Sequence, residues 1–164
     1  MNRETNKIGF NFAKTLTVLV AQNMYPEVIQ EDMKKTKLQD CYNYHLWIDL
    51  IPRILGKWKM EMYFVLAEEL SIQCQQLNDK SFCEMMQQLK EDFRSDDFDP
   101  AEFFCFCILV SFYATIALKR NCQEARKVAV RTIYDNVQYY EERGQMTESS
   151  WKTIFDIATQ MAYS

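Results

Sequence analysis

Apolar residues recur at helical spacing along most of the chain. Ile8, Phe12, Leu16, Leu19 and Val20 share one face of a helix expected over 5–23, and Tyr25-Pro26 ends it. Residues 26–40 are polar and charged, which predicts a short helix or an irregular link. The segment 41–72 is rich in Trp, Tyr and Leu. Pro52 and Gly56 lie inside it and predict a kink or a split, with Ile51, Ile54, Trp58, Met62 and Leu66 forming an apolar stripe across the break. Residues 80–94 form an amphipathic pattern. Phe82, Met85, Met86, Leu89 and Phe93 fall on one side, and Glu84, Gln87, Lys90 and Glu91 on the other. A helix over 123–142 places Ala129, Val130, Ile133, Val137 and Tyr140 on one face and stops at Arg143-Gly144. A last helix begins after Thr147 and carries Trp151, Ile154, Phe155, Ala158 and Met161.

One stretch departs from this pattern. Residues 103–118, FFCFCILVSFYATIAL, are sixteen residues with no polar face, bounded by Glu102 and by Lys119-Arg120. A membrane span needs about 20 residues, so the simpler expectation is a helix enclosed by other helices. Asp99 can cap it, Pro100 suits its first position, and Glu102 can reach back as a capping box. Such a cap contributes about 1 kcal/mol, whereas each buried Phe contributes roughly 2–3 kcal/mol. Burial therefore sets the fold, and the cap sets where the helix starts. The expected fold class is all-α: one domain, residues 1–164, of six to eight helices bundled around a buried central hydrophobic helix.

Composition narrows this further. Only three Gly and three Pro occur, too few for the frequent turns of an all-β fold, and 48% of residues are apolar, enough for a core. The net charge of −4 and pI near 5.1 disfavour nucleic acid as a partner. The basic stretch 119–127 also contains Glu124 and reads as a helix end with a solvated face. Six cysteines occur, but the first apolar stretch is interrupted by Asn11, Lys14, Thr15 and Thr17, unlike a signal sequence. Reduced thiols and a cytoplasmic or nuclear setting are expected. The end of the chain, TQMAYS, has no apolar tail, so no permanent membrane anchor is expected in this chain.

The chemistry on offer is sparse. Asp96, Asp97, Asp99 and Glu102 lack the oxygen spacing and turn Gly of a calcium loop and are accounted for by the helix cap and dipole. Cys105 and Cys107 fall on different faces of a helix, and the single histidine, His45, sits in an aromatic stretch where packing is the expected role. No nucleophile has a base beside it, and no Gly-rich phosphate loop occurs. The expectation is a binding domain, not an enzyme, with no metal and no cofactor.

The Met and aromatic stripes of 58–66 and 85–93 have two readings. They are plain core, or they line a groove for a partner's amphipathic helix, since thioethers adapt to varied ligands. The order of elements over about 50–160 resembles the Bcl-2 family of apoptosis regulators. Three stretches carry the resemblance. Ile51, Ile54 and Trp58 reproduce the apolar spacing of that family's BH3 segment, with Leu66-Ala67-Glu68 where many members show aromatic-Ala-Glu. Residues 81–93, then 99–102 and the Phe-rich helix, are similar to the groove helix, the Asn-Trp-Gly-Arg motif and the helix it opens. Residues 140–144 with Trp151 and Phe155 are similar to the C-terminal homology region.

The chain also departs from the family pattern. Asp99-Pro100-Ala101-Glu102 replaces Asn-Trp-Gly-Arg, so Glu102 would repel the ligand Asp that the family's Arg pairs, and Leu55-Gly56 replaces Gly-Asp. The resemblance implies a Bcl-2-like bundle acting as a pro-survival regulator that sequesters BH3 helices of pro-apoptotic proteins. The implied groove comprises Ile54, Trp58, Met62, Leu66, Met85, Met86, Leu89, Phe93, Ala101 and Glu102. It also implies a cytoplasmic protein that associates with the mitochondrial outer membrane. Divergence of this kind resembles viral members, some of which act on innate-immune signalling. That gives the alternative: a helical adaptor or homodimer with a closed groove.

Overall fold

The computed structural model describes residues 3–29, 44–73 and 77–164, without the side chains of 3–6, 58–64 and 71–73. It contains α1 (Arg3–Met24), a 3-10 turn (Pro26–Val28), α2 (Tyr44–Gln73), α3 (Asp79–Phe93), α4 (Pro100–Lys119), α5 (Ala125–Glu142) and α6 (Glu148–Tyr163). No strand occurs among the described residues.

The helix ends have local causes. Asn78 accepts from the Ser81 N–H at 2.9 Å, and the Ser81 hydroxyl accepts from the Asn78 N–H at 3.0 Å, closing a reciprocal cap on α3. The Asp99 carboxylate accepts from Ala101 N–H at 2.9 Å and from Glu102 N–H at 3.4 Å, with Pro100 at the first position of α4. The expected return bond from Glu102 is not formed; its side chain is exposed. At α5 the chain turns away through Gly144 at φ +68°, and the Gln145 N–H returns to the Tyr140 carbonyl at 2.9 Å. A left-handed glycine is the usual way to satisfy the last carbonyls of a helix.

The all-α bundle with its buried apolar helix is as the sequence predicts. α4 packs against α1, α2, α3, α5, α6 and the 3-10 turn. Phe103, Phe104, Phe106 and Phe112 are all buried, as are Ile108, Val110 and Ile116. At roughly 2–3 kcal/mol for each buried Phe, this helix dominates the folding free energy. Its buried serine and threonine hydroxyls are satisfied within the helix. Ser111 donates to the Cys107 carbonyl at 2.8 Å, and Thr115 to the Ser111 carbonyl at 2.9 Å. By length and composition alone α4 could cross a membrane, but 72% of its most apolar window is enclosed by the other helices.

The structure departs from the sequence reading in four places. α1 is buried on nearly every side from Asn11 to Ala21, not on one face. Arg126 of α5 lies against it, donating to the Lys14 carbonyl at 3.1 Å. α2 is not split at Pro52 and Gly56 but continues as one helix through both. Pro52 faces solvent while Leu50, Ile51, Ile54 and Leu55 beside it are buried. Their combined burial outweighs the ~3 kcal/mol cost of an internal proline. Lys90 is not on the solvated face of α3. It is 7% exposed, with Nζ 3.0 Å from Asp135 of α5 and 2.9 Å from Gln87. A buried ammonium needs such partners. His45 is exposed rather than packed, with the Tyr44 ring centre 5.6 Å from its own.

Gly9 sets how closely α1 approaches α5. A Cβ there would lie 2.7 Å from Val137 Cγ1 and 3.4 Å from the Trp151 ring. Val137 is β-branched and fully buried, so it cannot swing aside. Gly9→Ala gains up to about 1 kcal/mol of helix propensity but overpacks this contact. Urea unfolding is expected to show a net loss of about 1–3 kcal/mol. Adding Val137→Ala should lessen the penalty of Gly9→Ala. A Gly9→Ala variant as stable as wild type would mean that α1 and α5 are not this close.

Candidate functional site

α3 ends at Phe93 because Arg94 turns extended, and residues 94–99 then lead into the cap of α4. This link is held down on α5. Arg94 Nε donates to Asn136 Oδ1 at 2.8 Å, and its guanidinium lies 4.5 Å from the Tyr139 ring centre. The Ser95 N–H donates to the Tyr140 hydroxyl at 3.1 Å. Phe98 packs on Tyr140 with ring centres 4.9 Å apart. Asn136 is itself buried and donates to the Lys90 carbonyl at 3.3 Å.

Fixing the link leaves a surface cleft of about 420 Å³ between the end of α3 and the first turns of α4. Phe93, Arg94, Ala101, Glu102 and Cys105 line it, with Asp92 at its edge. Phe93 is half-buried and lies against Phe106, ring centres 5.3 Å apart. Ala101 offers only a methyl group, so a partner's backbone can come close. Arg94 supplies one positive charge against Asp92 and Glu102. The Cys105 thiol is pushed up, first by burial and then by the carboxylates of Asp99 and Glu102. It stays protonated at neutral pH, a poor nucleophile.

Of the groove residues predicted from sequence, Phe93, Ala101 and Glu102 meet in this cleft. Ile54, Leu66 and Met86 are fully buried and Met85 is 9% exposed, all within the core. Leu89 is half-buried against the same core. Trp58 and Met62 lie on α2, and their side chains fall outside the described residues. Arg94 and Cys105 were missed. Cys105 was legible in principle: Ala101, Glu102 and Cys105 are one helical turn apart and are the exposed positions at the start of α4. Arg94 carries no such signal, since its position depends on the link folding back to α5.

The C-terminal half of α2 is tied to α4 by the Tyr113 hydroxyl, which donates to the Glu69 carboxylate. Tyr113 is buried, and burial first, then Glu69, raises its phenol well above the usual range near 10. No protein family, no curated protein and no solved structure matches the chain.

The Tyr113 shift has a pH consequence. A folded-state pKa above the unfolded value means the stabilisation is fully present below pH 10 and is lost as pH rises towards the folded value. Urea unfolding between pH 9 and 11 should show falling stability in the wild type and a shallower fall in Tyr113→Phe. Equal slopes would mean that the phenol is not buried against Glu69.

Proposed function

We propose that this chain is a Bcl-2-like regulator of cell death, of the pro-survival kind, which takes amphipathic BH3-type helices of pro-death proteins, and that the ligand helix docks at the α3–α4 cleft. The observation that carries the reading is the cleft itself. Half-buried Phe93 and the small Ala101 form an apolar spot, and Glu102 and Arg94 set charges beside it. An amphipathic helix presents the complementary pattern, apolar anchors flanked by polar residues.

The cleft accommodates the end of a ligand helix. A longer seat would need the core around Ile54, Leu66, Met85 and Met86 to open, exposing them for the ligand to cover. Binding then carries the cost of opening, and the apparent affinity falls in proportion to the fraction of molecules that are open. Titration calorimetry against a panel of BH3 peptides tests the reading. Heat of binding at tens of micromolar protein is expected from some members, and silence across the panel removes it. Glu102 sharpens the test. In the register that the resemblance implies, Glu102→Arg should tighten binding to an Asp-bearing peptide by about 1–3 kcal/mol. Unchanged affinity would place the ligand in another register.

The burial of Ile54, Leu66, Met85 and Met86 favours a second reading. In it the groove is closed and the domain is an adaptor or homodimer acting on innate-immune signalling proteins through another face. A silent peptide panel together with a stable dimer in sedimentation would support it.

A further inference from the structure

A second surface, between α1 and α5, has a different character. A cleft of about 510 Å³ opens there. Lys14, Arg126, Lys127 and Arg131 line it, with Asp135 as its one acidic residue. In a chain of net charge −4 this concentrates positive charge on one face. Asp135 is already engaged by Lys90 at 3.0 Å, which offsets much of its opposition. Lys127 pairs with Glu124 at 3.5 Å on an open surface, where such a pair is weak. Lys14 and Arg131 form no ion pair among the described residues. The Lys14 ammonium lies instead 4.7 Å from the Phe10 ring centre.

The floor of this cleft is apolar. Phe10 is 41% exposed, unusually open for its size, and its ring meets Tyr134 edge to face with centres 5.4 Å apart. Val130 lies between Lys127 and Arg131 along α5. Along α5, Lys127, Arg131, Tyr134 and Gln138 follow at helical spacing and form one stripe. Eleven residues of helix rise about 16 Å, the length of about five residues of extended peptide.

We propose that this cleft is a docking site for a short acidic segment of a partner protein, carrying one aromatic or aliphatic side chain. The carboxylates lie towards Lys14, Lys127 and Arg131, and the apolar side chain rests on Phe10 and Tyr134. A sulfated polysaccharide or an anionic membrane would use the cations but leave Phe10 unpaired; a nucleic acid would stack a base there, but the chain's net charge of −4 opposes it, so a peptide fits better. The proposal does not depend on the α3–α4 cleft, and a silent BH3 panel leaves it standing.

The test uses the full chain and the peptide acetyl-Glu-Glu-Phe-Glu-Glu-amide, with two controls. In one control Lys replaces every Glu, and in the other Ser replaces Phe. Nuclear magnetic resonance titration at millimolar peptide should move the amides of Phe10, Lys14, Val130, Arg131 and Tyr134, and the all-Lys control should move none. Arg131→Glu should weaken binding roughly tenfold, the order expected for reversing a close charge. Phe10→Ala should weaken it severalfold for the Phe peptide and leave the Ser peptide unaffected. Both positions are at the surface, and unchanged thermal midpoints verify folding. The proposal is overturned by equal response to the all-Lys control or by shifts confined to other faces. It is also overturned if heparin or anionic vesicles bind and Phe10→Ala has no effect, or if a dimer that Arg131→Glu dissociates covers the cleft.

Discussion

The fold depends on taking the surface of α4 out of water. A helix with Phe103, Phe104, Phe106, Ile108, Val110, Phe112 and Ile116 has no face it can leave exposed without losing several kcal/mol. It therefore needs neighbours along most of its surface, and α1, α2, α3, α5 and α6 supply them, leaving Ala101, Glu102 and Cys105 exposed. This explains why α1 is buried nearly all round, and why α2 keeps its helix across Pro52 and Gly56. It also explains why Met85 and Met86 point inwards. The same demand shapes the candidate site, since residues needed to cover α4 are not free to line an open groove.

Polar contacts then decide geometry within that constraint. α5 does most of this. Its buried Arg126 reaches α1, its Asp135 and Asn136 reach Lys90 and Arg94, and Tyr140 receives the Ser95 N–H. Each of these is a hydrogen bond or ion pair made where water is scarce, so leaving one partner unmatched is expensive. They fix the 94–99 link and so fix the cleft that it borders. The basic cleft is lined by the same helix, whose Arg126 and Asp135 also take part in these contacts.

Much of the fold was legible from periodicity and caps. The helix pattern, the start of α4 at Asp99-Pro100 and the stop at Gly144 are local signals, and they hold. Signals that need the third dimension were not legible. Lys90 has the spacing of a solvated residue, and the charge that makes its burial tolerable, Asp135, is forty-five positions away. The proline of α2 is a local breaker overridden by the burial around it. The candidate site was half legible. Phe93, Ala101 and Glu102 line one cleft, whereas Ile54, Leu66, Met85 and Met86 read equally as groove or core until their packing was known.

Native-state hydrogen exchange of the α4 amides tests the central claim most directly. If the helix is enclosed from Phe106 onwards, the amides of Phe106, Ile108, Val110 and Phe112 open only when the whole domain unfolds. Their exchange free energies should then equal the global unfolding free energy and fall with urea along the same slope. Exchange of these amides through a smaller opening, insensitive to urea, would show that α4 has an exposed side and would contradict the account.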